Sequence, residues 1–244
     1  MGVIEKGLAA LPAYTSLLQD IRAGRTPGML TGLGHIHKVL LIHSLCAGLS
    51  RRALVIVADE AEANRMCEDL AALGDQALFL PARELSLRRV ESASREYEQM
   101  RLNVLAKMAA GEAAIVVAGV DAVASYTLPP QVLQGRTLRL RAGLPLPVKD
   151  LAAALSSAGY ERCDQIEGPG QYAVRGGITD VYPAQNSAPV RIELWGDTVD
   201  TLSYFDLLSQ RRTDPLDAVD IPPAAEILYE RPEEIGRASC RERV

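Results

Sequence analysis

Aromatic residues make up only 5% of the 244-residue chain, with a single tryptophan. A core built from this sequence must therefore rest on Leu, Val, Ile and Ala. Histidine is scarce too: the chain has 3, and His35, His37 and His43 all lie in one segment. No apolar run approaches the about 20 residues of a membrane-spanning helix. Glu5 and Lys6 interrupt the short apolar N-terminus, so no signal peptide is expected to open the chain. Cys46, Cys67, Cys163 and Cys240 form no CxxC pair and no regular framework. That scatter predicts reduced thiols and a cytoplasmic location. Positive charge is not in excess: 26 Lys and Arg against 31 Asp and Glu give a formal net charge of -5. Such a balance gives no basis for general nucleic-acid affinity, although it is compatible with a local basic patch. What remains is globular in composition, 48% hydrophobic and 23% charged, and long enough for one large or two ordinary domains.

The first half alternates strand and helix signals. Ala53-Leu54-Val55-Ile56-Val57 reads as a buried parallel strand, and Ala63, Met66, Leu70 and Leu73 give the following helix one apolar face that Gly74 closes. Ala77-Leu78-Phe79-Leu80 predicts a second strand, stopped by Pro81. A longer helix is expected over about 92–110, ended by Gly111, and a third buried strand over 113–118. Further helices are expected at about 9–23 and 38–47. This is the pattern of a parallel sheet covered by helices. Beyond about residue 140 the period changes. A half-exposed strand at 137–141 and a helix at 148–158 lead into short strands at 171–175, 178–182, 190–195 and 199–205. Breakers such as Gly176-Gly177 and Gly196-Asp197 separate them, which predicts a smaller, mostly antiparallel α+β domain.

Thr31-Gly32-Leu33-Gly34-His35-Ile36-His37-Lys38 sits where a phosphate-binding loop would sit between strand and helix. A working loop needs G-x-x-x-x-G-K-[ST], whose Lys neutralises phosphates and whose hydroxyl holds Mg²⁺. Here Met29 stands at the first glycine, His35 at the lysine and Ile36 at the hydroxyl. Gly32, Gly34, His35 and Ile36 therefore predict an inactive loop and no nucleotide cofactor. The three histidines are read as helix-entry residues, not as zinc ligands, and no metal site or catalytic Ser-His-Asp or Cys-His set is expected. Asp59-Glu60 reads as a helix N-cap with acidic first-turn residues.

In the second half, Gln171 to Pro183 and Pro189 to Asp200 place two arginines and the only tryptophan on short neighbouring strands. By the two-residue period Arg191, Glu193 and Trp195 share one face, while Ile192 and Leu194 point to the core. Arg191 and Trp195 then point outward. An exposed Trp beside arginines has the composition of an interface hot spot. The competing reading is a Trp that caps the core edge, with arginines paired to Glu193 and Asp197.

These motifs carry a resemblance. RGGITDVYP, then PVRIELWGDTVDTLSYFDLLSQRR, together with the preceding FLPARELSLRRVESASREYEQMRLNVLAKMAAGEAAIVVAGVDAVASYTLPP, resemble the region shared by the excision-repair protein UvrB and the transcription-repair coupling factors. The likeness runs from about Thr26 to Tyr229. UvrB has an intact phosphate loop and a tyrosine-rich hairpin; this chain lacks the loop chemistry and has no tyrosine over 79–95. Both departures resemble the N-terminal UvrB-homology module of the coupling factors. The resemblance implies a degenerate, helicase-like domain at 1–140, a UvrA-binding domain at 141–226 and the start of a return segment at 227–233. It implies no ATPase activity in this stretch and UvrA as its partner, bound through Arg175, Arg191 and Trp195, where the family usually has Phe at the last position. RNA polymerase, DNA and ATP-driven translocation are expected to belong to downstream parts of the longer protein. A truncated UvrB-type ATP-dependent protein and a stand-alone, non-catalytic binding module are the alternatives. Residues 234–244, EIGRASCRERV, resemble the translation of a sequencing adapter rather than a folded segment, against a disordered basic tail as the other reading. They are left out of the fold expectations.

Overall fold

The computed structural model describes residues 3–83, 96–183, 186 and 188–226. The expected return segment at 227–233, the tail at 234–244 and most of the stretch 79–95 lie outside the described residues. In chain order the elements are α1 (Val3–Ala9), α2 (Pro12–Arg22), α3 (His35–Leu49), β1 (Ala53–Val57), α4 (Glu60–Ala72), β2 (Ala77–Leu80), α5 (Glu96–Ala110), β3 (Ile115–Gly119) and α6 (Val120–Ala124). They continue with α7 (Pro130–Gly135), β4 (Leu138–Arg141), α8 (Val148–Ser157), β5 (Glu161–Arg162), β6 (Gln171–Arg175), β7 (Ile178–Val181), β8 (Val190–Trp195), β9 (Thr198–Phe205), β10 (Arg212–Leu216) and β11 (Ala218–Ile221). Two compact units result. One holds the described residues up to Arg83 together with 110–125; the other holds 96–109 and the residues from Tyr126 onward.

The first unit is a parallel three-stranded sheet in the order β1-β3-β2. Val39, Ala63, Met66 and Leu70 bury their side chains against Ile115 and Val117, so α3 and α4 cover this sheet. The start of α4 follows from its sequence: Asp59 accepts the Glu62 N–H at 2.8 Å, and Glu60 and Glu62 lie at the positive end of the helix. Its end is equally legible. Gly74, at φ +90°, donates to Ala71 O and Asp75 donates to Leu70 O, the paired bonds of a Schellman motif. The centre strand β3 is buried along its whole length. The edge strand β1 differs from the sequence expectation: Leu54 and Ile56 are half exposed, because only its alternate residues face the covering helices.

The second unit is built on a six-stranded sheet in the order β10-β9-β8-β7-β6-β5. All neighbours are antiparallel except the short β5–β6 pair. One face of this sheet, with Tyr172, Val181, Val190, Ile192, Val199 and Leu202, packs on Leu151 and Leu155 of α8 and on the small β4–β11 pair. β10 forms one edge and carries Pro215, whose missing N–H is tolerated there. The opposite edge, β5, has only 2 residues. Residues 222–226 are fastened back: Tyr160 donates its hydroxyl to Pro222 O at 2.7 Å and Ala224 donates its N–H to Ala158 O at 2.8 Å. In the same unit α5 meets the end of this segment through Arg101 and Glu226, a fully buried ion pair at 2.8 Å. Among the described residues no helix is long and apolar enough to cross a membrane.

Candidate functional site

Two tight hairpins shape the second face of the six-stranded sheet. Arg175-Gly176-Gly177-Ile178 and Trp195-Gly196-Asp197-Thr198 are both two-residue connections, with Gly176 at φ +61° and Gly196 at φ +62°. A positive φ at the first central residue is the II′ pattern that suits the twist of paired strands. Gly177 has a second reason to be glycine: a Cβ there would lie 2.9 Å from Leu194 O.

The register then assembles rows of side chains, since directly opposed residues share a face. Ala173, Asp180, Arg191 and Ser203 form one row, and Arg175, Ile178, Glu193 and Thr201 form the next. Trp195 lies one step further, opposite Thr198. Glu193 faces Thr201 and Leu194 faces Val199, so the unpaired Asp200 is a bulge on β9. The alternation of β8 survives it, and Arg191, Glu193 and Trp195 keep one face.

The two rows have different fates. Ala173, Asp180 and Ser203 are buried, and Ala173 joins Ile166 and Phe205 in a small cluster against which Cys163, Tyr182 and Leu207 pack. The second row is open. Trp195 is 84% exposed and Ile178 lies at the exposed margin. Arg175 is exposed and donates through Nε and Nη2 to Asp164 O at 3.2 and 2.9 Å. Among the described residues no carboxylate forms an ion pair with it. Trp195 therefore does not cap the core edge.

Arg191 behaves differently from its two companions. Its side chain is only 13% exposed and grips Asp180 with both arms, Nε to Oδ1 at 2.7 Å and Nη2 to Oδ2 at 2.8 Å. Nη1 donates to Gln210 O at 3.0 Å, Nη2 also reaches Gln210 Oε1 at 3.4 Å, and the guanidinium lies 4.4 Å from the centre of the Phe205 ring. The hydrogen bonds to Asp180 hold Arg191 above its ordinary pKa. The pairing foreseen with Glu193 or Asp197 is not the one observed. Glu193 instead pairs with Arg212 from the edge strand and accepts the Thr201 hydroxyl at 3.3 Å. Asp180, Ile178, Gln210 and Arg212 were not singled out by the sequence. The loop between β7 and β8 is too long to give the register of Ile178 and Asp180, and Gln210 and Arg212 lie beyond β9.

The segment after β9 folds into a closed turn over this face. Asp206 Oδ1 accepts the Ser209 N–H at 2.8 Å, and the Gln210 N–H reaches Asp206 O at 2.8 Å. The Asp206 N–H reaches Arg211 O at 2.9 Å, and Gln210 Nε2 donates to Leu207 O at 2.7 Å. The Ser209 backbone and side chain hold the Asp206 carboxylate below its ordinary pKa. Gln210 sits at φ +58°, a left-handed conformation costly for a residue with a side chain. Leu207 packs inward on Ala173 and Phe205, while Leu208 is 95% exposed.

In the first unit Gly32, at φ +78°, and Gly34 lead into α3. The Gly34 N–H, which a phosphate would need, is 3.3 Å from Nδ1 of His37. His35 turns to Asp69, with Nε2 and Oδ2 2.7 Å apart, while Ile36 is half exposed. His43 meets Asp75 at 2.8 Å. Each of these imidazoles is tied to its own neighbour, and the three do not converge.

Residues 138–227 match the family model described as the UvrB interaction domain. The chain is 32% identical to the transcription-repair-coupling factor of Bacillus subtilis (strain 168), over 92% of this chain and 19% of that relative. It is 32% identical to the factor of the same name from Myxococcus xanthus, over 88% of this chain and 19% of the relative. For Staphylococcus aureus (strain MRSA252) the identity is 26%, over 84% and 18%. The chain thus spans about a fifth of the length of these relatives.

Proposed function

Because the chain belongs to the transcription-repair-coupling factor family, we propose that it is the UvrA-recruiting module of such a factor, working in transcription-coupled excision repair. UvrA docks on the open face of the six-stranded sheet, marked by Arg175, Arg191 and Trp195. The observation that carries this reading is Trp195, 84% exposed on its strand, near the exposed Arg175, whose guanidinium donates to the Asp164 carbonyl, within the segment matched as an interaction domain. Arg175 and Trp195 stand at the same end of the sheet, two strand spacings or about 10 Å apart sideways. An aromatic and an arginine so held in advance lose little entropy on binding. In this reading residues 141–226 are the docking domain and 1–140 a decayed nucleotide fold.

The same reading makes the loop at Gly32, Gly34, His35 and Ile36 silent toward nucleotide. What supports it is the chemistry present: an imidazole held by Asp69 where a free lysine would be, an isoleucine where a hydroxyl would be, and a Gly34 amide already facing His37. Movement along DNA and engagement of RNA polymerase then belong to the longer protein, in the cytoplasm, not to this stretch.

Two experiments test it. Calorimetric titration of the chain with Mg-ATP should give no heat of binding; a micromolar Kd would overturn the loop assignment. Purified UvrA should bind the chain, with Trp195→Ala weakening it by about 30-fold, the loss of roughly 2 kcal/mol typical of a central anchor. Arg175→Ala should weaken it less and remove part of the salt dependence. Wild-type affinity in both variants, with unchanged circular dichroism, would refute the site.

A further inference from the structure

Arg191 has five N–H donors, and Asp180 and Gln210 engage four of them. Its charge is matched by Asp180 in a largely buried, bidentate pair, so little of the fork is left for a carboxylate on another protein. What Arg191 does hold is the carbonyl of Gln210, the left-handed residue that closes the 206–210 turn. That turn puts Leu207 down into the cluster and Leu208 out into water. A turn fixed by three internal hydrogen bonds, a fourth to Arg211 at its base and an arginine clamp, with a bare leucine at its tip, is a preorganised apolar contact.

We propose that Leu208 is an apolar anchor of the same docking face and that Arg191 is a positioning residue, acting on the partner through the 206–210 turn. This rests on the UvrA reading above. The occupant is the same because the distances place both residues within one patch. β9 runs from Thr198, opposite Trp195, to Phe205, just before the turn, which separates Trp195 from Leu208 by roughly 20–25 Å. An interface of ordinary size covers about 800 Å² on each partner, a patch roughly 30 Å across, and so takes in both ends. Leu208 then works as a second apolar contact at the far end of the face from Trp195, with the arginines and the Glu193–Arg212 pair between them.

The test uses the full chain and purified UvrA. Leu208→Ala should keep the wild-type melting temperature, since the side chain touches little, and should weaken binding by about 5- to 30-fold. Arg191→Ala should weaken binding and also speed amide exchange at Ser209 and Gln210. In the Arg191→Ala background the Leu208→Ala substitution should cost less than about 2-fold, because the leucine is no longer held in place. An undiminished Leu208→Ala loss in that background would refute the positioning role. Wild-type affinity of Leu208→Ala alongside weak binding by Trp195→Ala would refute the anchor and leave the UvrA reading standing. Wild-type affinity in Leu208→Ala, Arg175→Ala and Trp195→Ala together would overturn both.

Discussion

Replacing Arg101 by methionine would keep most of the volume of its side chain and remove the charge. Arg101 and Glu226 have side chains 1% and 2% exposed, so water cannot screen the pair or replace the lost partner. The Glu226 carboxylate would keep one hydrogen bond to Oε1, from the Thr127 hydroxyl at 3.0 Å, while Oε2 has no hydrogen-bond partner among the described residues. Breaking a buried pair from one side costs about 3–5 kcal/mol. The Thr127 bond argues for the lower end, about 3 kcal/mol. At about 2–4 °C per kcal/mol for a chain of this size, the melting temperature should fall by roughly 6–12 °C. Urea denaturation followed by circular dichroism measures the change. Hydrogen exchange read by mass spectrometry should place it on α5 and on the segment after β11. The double variant Arg101→Met, Glu226→Leu should recover part of that loss, since the buried carboxylate left without its partner is removed as well. A loss below about 1 kcal/mol in Arg101→Met would refute the reasoning. A double variant as unstable as the single one would show that Arg101 acts through something other than this carboxylate.

Asp206 gives a pH prediction. Its carboxylate is held below the ordinary range by Ser209, so its contribution to the turn is present above about pH 4. It is lost as the pH falls through the lower folded-state value. Protection of the Ser209 amide, taken against its intrinsic exchange rate at each pH, should therefore fall in that acidic window, and Asp206→Asn should abolish the transition. Cys67 gives a chemical one: burial, with Glu68 adding to it, raises its thiol to about 11. At pH 8 only about one molecule in a thousand carries the thiolate there. Iodoacetamide should label Cys67 far more slowly than a free thiol; equal rates at pH 8 would contradict the burial.

The elements legible in the sequence are those fixed by local chemistry. Asp59 and Gly74 bracket α4 because a cap side chain and a left-handed glycine act within one turn. The strands around Gly176-Gly177 and Gly196-Asp197 were legible because two-residue hairpins set their own register. What was not legible depends on distant partners. β11 pairs with β4 across most of the second unit, and nothing near Ala218–Ile221 announces it. Pro215 argues against a strand at 212–216, and only its place at the edge makes one possible. The five apolar residues of β1 read the same whether both faces are covered or one, so the exposure of Leu54 and Ile56 could not be foreseen. The candidate face divides in the same way. Alternation put Arg191 and Trp195 on one side, but the cover that leaves Trp195 bare and half buries Arg191 comes from Phe205, the 206–210 turn and Asp180.

The two margins of the six-stranded sheet bear on how any protein could join it. Strand addition needs a free row of backbone donors and acceptors several residues long. β10 offers Pro215, which has no N–H, and its register against β9 already slips between Arg212 and Pro215. β5 is 2 residues long and ends where it would have to continue. Among the described residues both margins therefore disfavour extension by a borrowed strand, and a docking face such as the one proposed above would work through side chains. Backbone pairing tolerates almost any sequence; side-chain docking does not. A synthetic peptide in extended form should accordingly fail to add to this sheet, and on the proposed docking face selectivity between related partners would rest on Trp195, Arg175 and their neighbours.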